Sequence, residues 1–149
     1  MTPHRTPPLA LALIVAAGGA LTLALAGCTG IQDALSQETT AEFSDAADLE
    51  ARWDTSVPWL PADATAIVTK TKPDSDIATV LLRSGSALDA ATCTEVDRES
   101  APTVNVPEGP DVYAASRVFA CGDWSVAATD QGWYGWTPNS AGEKEQAAS

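Results

Sequence analysis

Histidine is almost missing from this chain of 149 residues, and its one copy, His4, lies in a segment that we interpret below as a cleaved export signal. Its absence from the rest of the chain excludes Ser-His-Asp and Cys-His catalytic arrangements and zinc sites built on histidine. The side chain that most often acts as a general acid or base near neutral pH is missing too. Carboxylate pairs and Ser-Lys chemistry stay open, but each needs a cleft that a small domain has little volume to build.

Positive charge is also scarce. Eight Lys and Arg stand against 20 Asp and Glu, which gives a formal net charge of −12. Nucleic acid is excluded as a partner because its phosphates require a basic protein surface. The same balance disfavours docking of the body flat on an anionic lipid surface, and it is typical of a soluble exported domain.

An uncharged apolar run from Leu9 to Ala26 follows a short polar start and ends in Leu25-Ala26-Gly27-Cys28. The run is rich in Ala and Gly and no basic cluster follows it, which favours a cleaved signal over a transmembrane anchor. Leu25 to Cys28 resembles the lipobox of bacterial lipoproteins. The resemblance implies cleavage before Cys28, a thioether-linked diacylglycerol on its sulfur and display on the extracytoplasmic face of the cell membrane.

Two cysteines are left once Cys28 carries lipid. Cys93 and Cys121 form an even pair in an oxidising compartment, which predicts a disulfide between them. No CxxC motif indicates redox catalysis, and two thiols alone are a poor zinc site. We therefore expect no metal and no cofactor.

The cleavage site and the composition of the sequence after it predict four parts in the chain. The signal occupies residues 1–27, a lipidated tether 28–42, one globular domain 43–138 and a disordered tail 139–149. The lipobox, the Ala-rich acidic body, the cysteine pair and the late tryptophans are together similar to small lipoproteins of high-GC Gram-positive bacteria. That likeness of composition transfers no catalytic or binding residue.

Hydrophobic periodicity predicts an α+β fold, with a short N-terminal helix on a four- to five-stranded antiparallel sheet. The helix is expected over 43–53 with Ser44 as N-cap, or from a capping box over Thr39–Glu42. Residues 66–72 and 77–83 predict a hairpin around a turn at 73–76. Further strands are expected at 113–121, at 124–129 and at 133–136, with an irregular excursion over 97–111 and a loop or short helix over 85–92.

Trp133-Tyr134-Gly135-Trp136 is the densest aromatic cluster. On a strand, Trp133 faces one side of the sheet while Tyr134 and Trp136 face the other. Core packing is the ordinary role of such residues, and the alternative is an exposed platform on which a sugar ring stacks.

Two acidic clusters have plain interpretations. Asp74-Ser75-Asp76 lacks the ligand offsets of a calcium loop and predicts a solvated turn. Glu95, Asp97 and Glu99 alternate along an extended segment and predict surface charge, because no apolar wall is evident that would raise a pKa.

The composition favours a non-enzymatic envelope lipoprotein that binds an unidentified envelope protein or glycan. A glycan- or small-ligand-binding module on the Trp133–Trp136 face is the alternative, and a small carboxylate-dependent hydrolase comes last. No catalytic residue is assigned.

Overall fold

A single antiparallel sheet of seven strands organises the computed structural model, which describes residues 37–149. The strand order across the sheet is β1-β2-β3-β7-β6-β5-β4. The strands are β1 (Thr39–Asp45), β2 (Thr65–Thr71), β3 (Ala78–Arg83), β4 (Thr94–Asp97), β5 (Arg117–Cys121), β6 (Trp124–Thr129) and β7 (Gly132–Thr137). Two seven-residue helices, α1 (Ala46–Arg52) and α2 (Ala141–Ala147), and a 3₁₀ turn at Val112–Ala114 complete the fold.

The sheet consists of two meanders that meet at its centre. Strands β1–β3 form one meander and β4–β7 the other, and β7 pairs with β3 to join them. Strands β2, β3, β7, β6 and β5 are therefore paired on both sides. This arrangement confirms the antiparallel sheet and agrees with an α+β class, but the sheet is larger than the predicted four to five strands.

Both faces of the sheet are covered. One core contains Leu49 of α1 and Trp59 of the segment after it, packed on inward-facing residues such as Val80 and Val126. The other core lies under residues 98–116 and α2 and contains Tyr134 and Trp136. Because alternate residues of a strand point to opposite faces, β7 supplies both cores at once.

Gly135 in the middle of β7 makes the first core possible. A Cβ at this position would overlap the six-membered ring of Trp59, so only glycine lets the buried indole lie directly on the strand. The glycine between the aromatic residues of β7 is thus explained by close packing of a second tryptophan.

The N-terminal part of the domain needs two corrections. Residues 39–42, assigned above to a tether or a capping box, form the first half of β1 and pair with β2. The helix lies within the predicted range but is shorter, with Asp45 as its N-cap in place of Ser44. Phe43 explains both, because its buried side chain pairs opposite Ile67 and holds this segment in the sheet.

The C-terminal tail is the largest correction. Residues 141–147 form α2, and the predicted disorder over 139–149 is wrong for this stretch. Ser140 and Glu143 form a complete capping box, a helix start signal that the sequence itself carries. The Gln146 side chain accepts a 2.8 Å hydrogen bond from the backbone N–H of Asp97, so α2 also covers the outer edge of β4.

Other predictions are confirmed. The hairpin of β2 and β3 closes with a 3.1 Å bond from the Lys72 N–H to the Ile77 carbonyl, and β6 has the predicted bounds. Residues 85–92 form a loop, and the excursion predicted over 97–111 is irregular as well. Its first residue, Asp97, is the last residue of β4. The strand predicted over 113–121 is β5, and it begins at Arg117. A 3₁₀ turn capped by Asp111 occupies the residues before it.

The disulfide between Cys93 and Cys121 is present, with Cα atoms 4.3 Å apart. Both half-cystines are buried in the first core. The bond links the residue before β4 to the last residue of β5. It therefore cross-links the two strands that pair at the outer edge of the second meander.

Candidate ligand site at one end of the sheet

The strand register defines two ends of the sheet. Thr39 pairs with Thr71 at what we call the near end, where the described chain enters the sheet. At the opposite end, which we call the far end, Arg83 pairs with both Thr65 and Gly132. Two depressions beside the sheet centre open at the far end. A groove of about 670 Å³ lies at the near end.

The first depression has a volume of about 670 Å³ and a polar wall. Asp63 accepts hydrogen bonds from the Ser84 hydroxyl at 2.5 Å and from the Gly85 N–H at 3.0 Å. The hydrogen bond from Ser84, aided by that from Gly85, lowers the pKa of Asp63. This carboxylate is therefore charged near neutral pH and fixes the loop that follows β3.

Trp133 forms the aromatic wall of the first depression. Its indole N–H donates to the Ser86 carbonyl at 3.0 Å, and its ring meets Phe119 edge-on with centroids 5.7 Å apart. The side chain is partly buried, so part of the ring faces the depression.

Tyr134 and Trp136 lie on the opposite face, as predicted, but they are not a platform. Tyr134 is 0% exposed and Trp136 1% exposed. Burial raises the pKa of Tyr134 to about 12, so its hydroxyl stays protonated. The predicted aromatic face is corrected accordingly: these two rings pack the second core, and only Trp133 offers surface to a ligand.

The second depression, of about 600 Å³, lies against the other face of the same strands. Val68 and Leu81, which pair across β2 and β3, contribute an apolar floor, and Pro107 and Pro110 close one side. Charged groups stand among these apolar residues: Arg83, Glu108 and Asp130. The two depressions share a wall made of Arg83, Ala128, Thr129, Asp130 and Gln131.

Two residues of the second depression have unusual backbone conformations. Ala66 has φ 47° beside a register shift in β2, and Glu108 has φ 65° in the proline-rich loop. A side chain with a Cβ rarely adopts this left-handed region, which costs about 1–3 kcal/mol and tends to occur at functional sites. Of the four non-glycine residues with such a φ among residues 37–149, these two line the second depression, and the other two, Gln37 and Asp74, lie elsewhere.

Arg83 is distinguished by its lack of a partner among the described residues of an acidic protein. Among residues 37–149, Arg52, Lys70, Arg117 and Lys144 form ion pairs, and Arg98 donates to backbone carbonyls. No ion pair or hydrogen bond is found for the Arg83 guanidinium within that part of the chain, although Glu108 and Asp130 line the same depression.

A buried carboxylate lies elsewhere, at the start of α2. Glu143 is 0% exposed and accepts five hydrogen bonds, from the N–H groups of Glu99, Ser100 and Ser140 and from the hydroxyls of Ser100 and Ser125. Burial alone would raise the pKa of Glu143, but the donors outweigh it and lower the pKa. With every lone pair engaged and no access to solvent, this group holds α2 on the sheet.

The two acidic clusters lie on the surface. Asp74 and Asp76 are exposed in the β2–β3 turn, and within residues 37–149 no three His, Cys, Asp or Glu side chains are placed to hold a metal ion. Glu95 and Asp97 pair with Arg117, while the Glu99 carboxylate accepts from Gln146. These contacts agree with surface charge.

Sequence reasoning missed the residues that converge at the far end. Arg83, Glu108 and Asp130 are far apart in the chain and match no motif. One sequence feature does point to Arg83: it is the charged last residue of an otherwise apolar strand. Cys28, the predicted lipid-attachment residue, lies outside the described residues.

The chain has no match among protein-family models, curated proteins or solved structures.

Proposed function

We propose that this protein is a lipid-anchored, extracytoplasmic binding domain of the cell envelope, attached through Cys28 and presenting the far end of its sheet to a ligand. The anchor is proposed on the lipobox, and the ligand site on the geometry of the far end. The domain is proposed to be non-enzymatic.

The relation between the start of the domain and the depressions is the observation that carries this function. β1 begins at the near end with Thr39, eleven residues after Cys28, and runs to Asp45 at the far end. Seven extended residues span roughly 20 Å. A lipid on Cys28 would hold the near end closer to the membrane and leave both depressions open to the envelope.

The charge distribution supports this orientation. Residues 37–149 contain seven Lys and Arg against 19 Asp and Glu. A groove beside the near end is nevertheless balanced, with Arg52, Lys72 and Lys144 against Asp54, Asp76 and Asp123. The excess acid therefore lies elsewhere, so the near end meets less repulsion from anionic headgroups than the rest of the domain.

The two carboxyl groups with shifted pKa values do not fit the role of a general acid. The pKa of Asp63 is lowered by its hydrogen bond from Ser84, and that of Glu143 is lowered by its five donors despite burial. Neither is held protonated near neutral pH, as a general acid requires. A carboxylate-dependent hydrolase therefore stays the last of the three candidates.

Glycan binding is a second candidate because Trp133 lines the first depression beside the polar groups of Asp63 and Gln131. A sugar ring stacking on the indole would have hydroxyl partners within the same depression. This candidate now depends on Trp133 alone.

Within residues 37–149, neither helix is long and apolar enough to span a bilayer. The proposed attachment is tested at Cys28. We expect intact-mass analysis of the membrane-extracted protein to show a chain beginning at Cys28 with a diacylglyceryl group on its sulfur, because two acyl chains give stable anchoring. Cys28→Ala should abolish the added mass and the membrane fraction, whereas Gln37→Ala should retain both. An unmodified chain beginning at Met1 would contradict the proposal.

A further inference from the structure

The second depression combines an apolar floor with a cation that has no partner among residues 37–149. From this combination we propose that it binds a small aliphatic monocarboxylate, with the carboxylate on Arg83 and the hydrocarbon chain along Val68 and Leu81. The inference rests on the proposed binding function and specifies its ligand class.

Arg83 supplies the polar half of the site. A guanidinium presents paired N–H donors that match a carboxylate in a two-bond arrangement. Arg83 is the last residue of β3, a strand paired on both sides, so its backbone is fixed while its side chain projects at the rim. Two other cations among the described residues have no ion pair: Arg98, which donates to backbone carbonyls, and Lys72, which lies at the near end.

The apolar half comes from two paired strands and a proline-rich loop. Val68 and Leu81 are directly opposite each other, belong to the second core and are still partly exposed. Pro107 and Pro110 face them from the loop. A volume of about 600 Å³ is within the range of small-molecule sites.

Neighbouring carboxylates limit the charge of the ligand. Glu108 and Asp130 line the same depression as Arg83, so a second negative charge on a ligand would meet repulsion. A single carboxylate meets this repulsion once, with Arg83 as its partner, and each further negative charge on a ligand would add repulsion. A phosphate-rich or polycarboxylate ligand is disfavoured for this reason.

The backbone disfavours a peptide as the occupant. Strands β2, β3, β6 and β7 are paired on both sides, so they leave no free edge for an added strand. Pro107 and Pro110 have no N–H to offer a peptide carbonyl. A hydrocarbon chain has no such backbone groups to satisfy.

Two of the strained residues lie on this same depression. Ala66 and Glu108 keep left-handed backbone conformations, and both line its wall. Strain of this kind persists where the surrounding structure imposes a defined shape. The depression is thus built with a fixed outline.

The test uses the chain from residue 28 with Cys28→Ser, which carries the whole sheet and both covered faces without lipid. Octanoate is titrated while amide and side-chain shifts are followed by NMR, with octanol as the uncharged probe. We expect saturable shifts at Ala66, Leu81, Glu108 and the Arg83 Nε–H, and affinity for octanol at least about tenfold weaker.

Matched variants separate the two halves of the site. Arg83→Gln should weaken octanoate binding at least about tenfold, whereas Arg117→Gln, which changes an exposed arginine at the start of β5, should leave it unchanged. Val68→Thr, nearly equal in volume, should weaken binding about threefold to fivefold by removing apolar contact. An unchanged spectrum away from each substitution shows that the variant is folded.

Several outcomes would overturn the inference. These are no saturation up to about 10 mM octanoate, equal binding by Arg83→Gln, and shifts confined to the Trp133 indole and residues 84–87. Tighter binding of a short apolar peptide with a free C-terminus would overturn it as well. The function proposed above fails separately, because loss of the lipid on Cys28 would leave octanoate binding to the soluble chain intact.

Discussion

Replacing Glu143 with alanine is expected to lower the free energy of unfolding by about 3 kcal/mol or more, the largest effect of any single non-cysteine substitution considered. The carboxylate satisfies five donors and is fully buried. Its removal leaves the N–H groups of Glu99 and Ser100 without an acceptor in the interior. Urea unfolding, followed by tryptophan emission, measures the loss.

Two variants act as controls for this prediction. Glu145→Ala, on the exposed side of the same helix, should change stability by no more than about 0.5 kcal/mol. Glu143→Gln keeps the shape but points an amide N–H₂ at existing donors, so it should lie between wild type and Glu143→Ala. Trp136, whose indole donates to the Ser100 hydroxyl, reports directly on this network. Equal stability of Glu143→Ala and Glu145→Ala would contradict the structural role.

The same carboxylate predicts a pH dependence. The folded-state pKa of Glu143 is lowered, because its donors outweigh the effect of burial. A lowered pKa stabilises the folded state above the ordinary glutamate value of 4.5, and this contribution is lost as the pH falls through the folded pKa. Asp63 contributes in the same direction. Stability should therefore fall below pH 4.5 less steeply in Glu143→Gln than in wild type.

Loss of the disulfide is the other large effect. Cys93→Ser/Cys121→Ser should lower the free energy of unfolding by about 2–5 kcal/mol, since the bond closes a loop of 28 residues in sequence separation. The chain-entropy model gives about 3.5 kcal/mol for a loop of this length. Both sulfurs are buried, so the serine hydroxyls add a desolvation cost.

Urea unfolding of the double variant against the oxidised wild type measures this loss. The reduced wild type, with both thiols blocked after unfolding, lacks the bond but has no serines. Its free energy of unfolding shows whether the missing bond or the buried serine hydroxyls cause most of the loss. Thiol titration of the denatured, non-reduced wild type should find no free Cys93 or Cys121. Two reactive thiols per chain would contradict the bond, and unchanged stability of the double variant would contradict its role.

The predictable parts of the fold were those with strong local signals. The β2–β3 hairpin has two β-branched runs around a proline turn, and β6 alternates cleanly between core and polar residues. The disulfide followed from the number of cysteines. Each of these signals agrees with the tertiary structure, so local reasoning was sufficient.

The missed elements depend on long-range contacts. β4 has four residues with Val96 as its one buried side chain, too short to stand out from the loop around it. β1 begins with residues that also match a capping box, and pairing with β2 decides between the two. α2 has a good start signal, but its glutamate is buried only because Ser100 and Ser125 lie across from it.

The candidate site was predictable in only one residue. Trp133 stood out as an aromatic residue, and the alternation of a strand correctly separated it from Tyr134 and Trp136. Which of the two faces is buried could not be read from alternation, because both faces of this sheet are covered. The convergence of Arg83, Glu108 and Asp130 depends on the order of strands and on a loop that crosses the sheet.

The central claim is that a lipid on Cys28 anchors the domain to the membrane and that the far end of its sheet points away from the membrane. Resonance energy transfer in vesicles that carry the acylated protein tests this claim. The donor dye is placed on Asp74→Cys or on Gln131→Cys, and the acceptor dye is on the lipid headgroups. Both positions are exposed, one at each end of the sheet. Separated by roughly 20 Å along the strands, the two sites should differ, with stronger transfer from position 74. Equal transfer, or stronger transfer from position 131, would contradict the account.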